Sequence, residues 1–233
     1  LDSTTTSNDG NVIDLGRIRY ETAWELQRKL HAQRVSGEIP DTLLLLEHEP
    51  VFTLGKSGRE ENVLIPKSLL EQKGIEFFRV ERGGDITYHG PGQLVGYPIF
   101  ILKERLTGIR RFIEKIEQAV IEALDDYGIK AATRPRNVGV WVDNRKIASV
   151  GIAVRQWVTF HGFALNVNTD LEYFKMILPC GLKGVAMTSM QKELGKSVPM
   201  SGVKAGIRSA FSRVFSIAFG EKQSLTRNYL SVD

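Results

Sequence analysis

Apolar and polar positions recur along this chain with two different periods, and each change of period marks an element. Ala23, Leu26 and Leu30 recur at helical spacing up to Gly37, behind a capping-box pattern at Thr22 and Glu25, and predict a helix. Thr42 to Glu47 holds four consecutive leucines, the pattern of a strand covered on both faces. Val51 to Leu54 predicts a second short strand, followed by a polar loop from Gly55 to Asn62. Pro66 to Gln72 fits a short helix closed at Gly74. Ile75 to Val80 and Leu94 to Leu102 predict strands on either side of a glycine-rich stretch. The clearest amphipathic stripe runs from Thr107 to Tyr127 through Ile109, Phe112, Ile113, Ile116, Val120, Ala123 and Leu124, with Gly128 at its stop. Val138 to Val142 and Lys146 to Val154 flank Asp143-Asn144-Arg145 as a hairpin. Trp157 to Val167 continues as strand, with a bend expected at His161-Gly162. Leu171 to Ile177 reads as a short helix ending before Pro179. Val203 to Phe219 reads as a terminal helix with Ile207, Ala210, Phe211, Val214 and Ala218 inward.

Strands outnumber helices, several are joined by hairpins, and no composition break marks a linker. The pattern predicts one α/β (α+β) domain over residues 12–233, a mixed, largely antiparallel sheet flanked by helices, behind a disordered polar tail at 1–11. A Rossmann domain is disfavoured because no G-x-G-x-x-G follows the first strand. At 233 residues, 42% hydrophobic and 25% charged, the chain can build a sizeable core. No apolar run reaches the roughly 18 residues of a membrane span, and the first ten residues match no targeting peptide. The single cysteine excludes an intramolecular disulfide and a multi-cysteine zinc site. The net charge of +4 is uneven: seven Lys/Arg stand against Glu193 alone between Lys175 and Arg213. That third of the chain is either a solvated face or a docking face for an acidic protein. Nucleic acid is disfavoured, since aromatic residues are not interleaved with the basic ones.

The chemistry concentrates in three places. Arg82 to Gln93 packs four glycines and one proline among Arg82, Thr87, Tyr88, His89 and Gln93. Glycines let the backbone approach a ligand closely, and successive N–H groups in such a turn form an oxyanion- or anion-binding concavity. Polar and ionisable groups at that density favour a ligand-binding loop over a plain turn. Cys180 stands between Pro179 and Gly181 with Lys175 and Lys183 nearby in sequence. Positive charge favours the thiolate, so the sequence leaves Cys180 evenly between a small buried hydrophobe and a nucleophile. Lys146 opens an otherwise apolar strand; it is either an edge-strand lysine or, facing inward, a group that holds a thiolate and shuttles protons. His89 and His161 are flanked by glycine, and two histidines with one cysteine do not make a metal site. No metal and no cofactor are expected.

These segments together resemble the lipoyl(octanoyl) transferase family. The signature runs from Arg82-Gly83-Gly84-Asp85-Ile86-Thr87-Tyr88-His89 to Tyr97. Gly139-Val-Trp-Val, Lys146 to Gly151, His161 to Asn166, Pro179-Cys180-Gly181 and Thr188-Ser189 follow in the family's order, over roughly Val12 to Phe219. The resemblance implies a fold akin to the biotin and lipoate protein ligase catalytic domain. It implies transfer of octanoyl from octanoyl-acyl carrier protein to a lysine of lipoyl domains, those of 2-oxoacid dehydrogenase E2 subunits or the glycine-cleavage H protein. By the same resemblance Cys180 and Lys146 are catalytic. Arg82 to His89, Ser149, Val150, Gly151, Gly162, Phe163 and Ala164 line the acyl site, with His161 supporting. A cytoplasmic setting is implied, with a mitochondrial or plastid matrix as the alternative, and neither nucleic acid nor a membrane as partner. Three rivals remain at this level: an ATP-dependent lipoate or biotin ligase, whose glycine loop is similar, an enzyme that moves octanoyl between two lipoyl-type proteins, and a non-catalytic protein that binds acyl carriers or nucleic acid.

Overall fold

In the computed structural model, which describes residues 9–102, 108–178 and 185–221, helices cover both faces of a mixed sheet. Strand β1 (Asp9–Ile18) is followed by helix α1 (Tyr20–Ser36), β2 (Thr42–His48), β3 (Val51–Leu54) and helix α2 (Lys67–Gln72). Strands β4 (Glu76–Arg79), β5 (Ile86–His89) and β6 (Gln93–Ile99) lead to helix α3 (Ile109–Asp125). Next come β7 (Ala132–Arg134), β8 (Asn137–Val142), β9 (Arg145–Arg155), β10 (Val158–Asn166) and a 3-10 turn at Leu171–Met176. The described chain closes with β11 (Ala186–Met187), α4 (Met190–Leu194), α5 (Met200–Phe215) and β12 (Ala218–Glu221).

The large sheet has the order β12-β1-β2-β6-β10-β9-β8-β7, with β11 added alongside β9. β1 runs parallel to β12 and β2, β11 runs parallel to β9, and every other pairing is antiparallel. A smaller sheet, β4-β3-β5, stands beside it. The leucine run of β2 is apolar throughout because both of its faces are covered. Leu43 and Leu45 join the core under α3 and α5, while Leu44 and Leu46 join the core under α1. Leu94 and Val95 of β6 divide in the same way. The α3–α5 layer is held by rings: Phe112 against Phe215 at 5.3 Å, Phe100 against Phe215 at 5.3 Å, and Phe163 stacked on Phe211 at 5.4 Å.

The structure corrects several boundaries. β1 begins at Asp9, so residues 9–11, assigned to a tail, pair with β12, and Asn11 pairs with β2 as well; residues 1–8 lie outside the described residues. Helix α1 starts at Tyr20, ahead of Thr22, and its N-cap Arg19 makes no side-chain cap. The buried Tyr20 ring, packed on Trp24, His48 and Phe78, anchors that end instead. Gly37 closes the helix as expected, in the left-handed conformation with φ 81°. Ile109 lies in the first turn of α3 and is 49% exposed, outside the buried stripe; Thr107 lies outside the described residues. The last helix stops at Phe215. Ile217 and Phe219 are buried and Ala218 is exposed, the two-residue alternation of β12 lying beside β1, where helical periodicity would have turned Ala218 inward. The middle of the glycine-rich stretch is a strand, β5.

Candidate active site

Arg82 is buried, only 8% exposed. Its guanidinium donates to the Thr53 carbonyl at 2.6 Å, to Thr53 Oγ1 at 2.9 Å and to the Gly83 carbonyl at 3.0 Å, which ties the glycine stretch to β3. Gly83 N–H in turn donates to the Ile152 carbonyl of β9 at 2.9 Å. The loop is thereby docked between the two sheets. Gly151 makes the docking possible, since a Cβ there would lie 2.8 Å from the Gly83 carbonyl oxygen. Asp85 closes the other side, accepting from its neighbour Ile86 N–H at 2.7 Å and from Asn62 Nδ2 at 2.6 Å.

Between loop and sheet lies a cavity of about 380 Å³, within the range of small-ligand sites. It gathers almost every residue the sequence singled out. Arg82, Gly83, Gly84, Asp85, Ile86, Thr87 and His89 form one wall. Ser149, Val150 and Gly151 of β9 line the other together with Ala164, Phe163 and Gly162 of β10. These two triplets are rung partners: Ser149 opposes Ala164, Val150 opposes Phe163 and Gly151 opposes Gly162. Lys146 and His161, also expected, line the cavity as well. Tyr88 does not line the cavity. Strand alternation sends its ring to the opposite side of β5, stacked on Tyr173 at 4.5 Å in the core of the small sheet. The lining also includes Tyr20, Ser57, Tyr97, Arg136, Asn137 and Val138, which sequence reasoning passed over. Tyr97 closes the quoted signature and was legible; the others are brought in by tertiary folding.

Histidines and tyrosines floor one end. His48 Nδ1 lies 3.1 Å from the Ile18 carbonyl and so donates there, and its Nε2 accepts from Tyr97 OH at 2.7 Å. Burial lowers the His48 pKa to about 4, so the ring is neutral. Gln93 Nε2 donates to Tyr88 O at 3.1 Å and to Asn166 Oδ1 at 2.9 Å, which leaves Gln93 Oε1 to accept from His89 Nδ1 at 2.8 Å. His89 is thus a neutral ring with Nε2 as its acceptor nitrogen, and burial, followed by neighbouring His48, holds its pKa well below the usual range. Asn166 Nδ2 continues the chain to the Thr188 carbonyl at 3.0 Å, and Thr188 N–H reaches the Lys146 carbonyl at 2.9 Å. His161 sits at φ 56°, the expected bend, with its N–H given to Gln27 Oε1 at 2.7 Å. Burial lowers its pKa while Glu81, 3.5 Å from Nε2, opposes that shift.

Lys146 is 3% exposed, on a strand flanked by β8 and β10, and so is no edge-strand lysine. Its Nζ donates to the Val138 carbonyl at 2.8 Å and lies 5.4 Å from the Trp141 ring centroid. Cys180 lies outside the described residues. The described chain on either side of it is anchored: Leu178 N–H donates to the Asn62 carbonyl at 2.8 Å, and Met187 of β11 pairs with Lys146 itself. Among the described residues no group of three or more His, Cys, Asp or Glu is placed to hold a metal. The basic third is partly neutralised by the fold: Lys175 pairs with Glu172, Lys204 with Asp14 and Arg213 with Glu122.

Residues 19–212 match the family model described as the lipoyl protein ligase A/B catalytic domain. The chain is 49% identical over 211 residues to an octanoyltransferase of Caldicellulosiruptor saccharolyticus, covering 90% of each chain. It is 54% identical over 194 residues to an octanoyltransferase of Dictyoglomus thermophilum, covering 83% of this chain and 82% of that one. Among solved structures, a putative lipoate protein ligase of Thermoplasma acidophilum with bound lipoic acid superposes with a TM-score of 0.71 at 17% identity, over 94% of both chains. The biotin protein ligase of Aquifex aeolicus gives 0.52 at 18% identity, over 88% of this chain and 69% of that one. The last two likenesses speak to the fold alone.

Proposed function

The chain belongs to the lipoyl protein ligase A/B catalytic-domain family and is an acyltransferase that moves octanoyl in protein lipoylation; we propose that it does so through a thioester on Cys180. The donor in this reading is octanoyl-acyl carrier protein. The acceptors are lysines of lipoyl domains, on E2 subunits of 2-oxoacid dehydrogenases and on the glycine-cleavage H protein. The observation that carries the reading is the buried Lys146 beside the cavity, with β11, a few residues past Cys180, paired to its strand.

In the first step the Cys180 thiolate adds to the thioester carbonyl, the tetrahedral adduct collapses, and the C–S bond to the carrier breaks. The carrier thiolate leaves with a proton from the Lys146 ammonium. In the second step the neutral acceptor amine attacks the Cys180 thioester. Lys146 takes the proton that the amine sheds as the amide forms, and Cys180 departs as thiolate. One thioester is exchanged for another and then for an amide, so no nucleotide is consumed. Val150, Phe163 and Ala164 offer the octanoyl chain apolar contact within the cavity, where each buried methylene contributes about 0.8 kcal/mol.

The test is an intact-mass measurement after incubation with octanoyl-acyl carrier protein in the absence of ATP. The expected result is one added octanoyl group, removed by hydroxylamine and missing in Cys180→Ala. Acylation that requires free octanoate and ATP would replace the transferase reading with a ligase.

A further inference from the structure

Glu117 belongs to no motif, yet it is a carboxylate 5% exposed on the inward side of α3. Its Oε1 accepts from Gly139 N–H at 2.6 Å. That N–H belongs to the same peptide unit as the Val138 carbonyl, the acceptor of Lys146 Nζ at 2.8 Å. One planar peptide therefore stands between an ammonium at its oxygen and a carboxylate at its N–H. Hydrogen bonds in series through one amide polarise one another and strengthen both ends.

The local backbone is shaped around this arrangement. Gly139 has φ 127°, a conformation L side chains rarely adopt. A Cβ there would meet Lys146 Cε and the Ala148 carbonyl, each at 2.5 Å. Gly139 is thus the point where the Lys146 side chain crosses the β8 backbone, and the β8–β9 register shifts there, between Val140 and Trp141. With the ordinary ladder interrupted, the Gly139 N–H donates to the Glu117 side chain of α3. Burial raises the Glu117 pKa, while the hydrogen bond from Gly139 N–H opposes that shift.

We propose that Glu117 is a positioning residue for the acyl-transfer reaction, acting on Lys146 through the Val138–Gly139 peptide. By accepting from the N–H it fixes the plane of that peptide, and so fixes the direction of the carbonyl that holds the Lys146 ammonium at the cavity wall. Among the described residues, Glu114 on α3 also acts on the Glu117 carboxyl, and Arg136, Arg82 and Asp85 line the same cavity as Lys146. The inference rests on the reading of Lys146 as the proton-transfer group.

The test compares wild type, Glu117→Gln and Glu117→Leu in octanoyl transfer from octanoyl-acyl carrier protein to a lipoyl domain. Glutamine keeps an acceptor oxygen at the same reach, and leucine removes it. Glu117→Leu is expected to lower kcat by about tenfold or more at an unchanged donor KM, as misplacement of a catalytic group does, and Glu117→Gln to restore most of it. A leucine variant with wild-type kcat, or a glutamine variant as impaired as leucine, overturns the proposal. Should Glu117→Leu not fold, the Gly139 amide proton resonance is read in Lys146→Met, where it is expected to shift because both groups share one peptide. An unmoved resonance overturns it too. Lys146→Met with full transfer activity would instead remove the role of Lys146 while leaving the resonance test standing, so the two failures are distinguishable.

Discussion

Gly151 has no side chain because the Gly83 carbonyl already fills that space. An added Cβ would lie 2.8 Å from the oxygen and 3.4 Å from Arg82 Cδ. Gly151→Ala is expected to lift the loop from β9, costing about 1–3 kcal/mol of stability as overpacking does and raising the donor KM. Urea unfolding and steady-state kinetics check this, and wild-type values in both would mean the loop is not seated there. Side-chain direction is where residue-scale reading succeeded least. Thr87 and His89 face the cavity while Tyr88 faces a core, and only knowing that Ile86–His89 is a strand separates them. Glu117 had a signal that went unused. It falls four residues after Ile113 and three before Val120, inside the apolar stripe of α3, where a carboxylate must find a partner.

Element by element, the periodic signals translated well where one face met one core. α3 and α5 pair through Phe112, Phe215 and Phe211, and Phe211 also stacks on Phe163, the residue at the cavity wall. Phe211→Ala is expected to destabilise by about 3–5 kcal/mol, the usual cost of emptying a buried phenylalanine site. It should also weaken transfer by letting Phe163 shift at the cavity wall. Thermal denaturation and kcat/KM measure the two effects, and a loss of stability below about 1 kcal/mol would contradict the packing described. The stop of α5 was misread because Phe211, Val214 and Ala218 continue a helical period by chance. Ser216 in the left-handed conformation ends the helix, and the open edge of β1 recruits the following residues as β12.

At the scale of the molecule, three buried histidines, His48, His89 and His161, are kept neutral chiefly by burial, with pKa values lowered. An unfolded chain protonates its histidines near pH 6.5, so their contribution is fully present above that pH and is lost as pH falls towards the folded values. For His48 the loss runs from about 6.5 down to about 4, at up to about 1.4 kcal/mol per pH unit. Glu117, whose pKa is raised, works in the opposite direction. The urea midpoint is expected to fall steeply over this window, and His48→Gln should flatten the fall. A midpoint independent of pH between 6.5 and 4 would refute the neutral buried cluster. The amino-acid sequence by itself determined the class of fold, the strands and helices with a single clean period, the glycine loop and the two wall triplets. Those properties follow from local periodicity, backbone freedom and the resemblance carried by contiguous motifs. Only the tertiary structure decided that Ser149–Gly151 and Gly162–Ala164 are rungs of one ladder, that Lys146 is interior, that Lys204 and Arg213 of the basic third pair with the distant acids Asp14 and Glu122, and that Glu117 shares a peptide with Lys146. These depend on the exact register of the sheet and on the helices packed over it, which local periodicity does not specify.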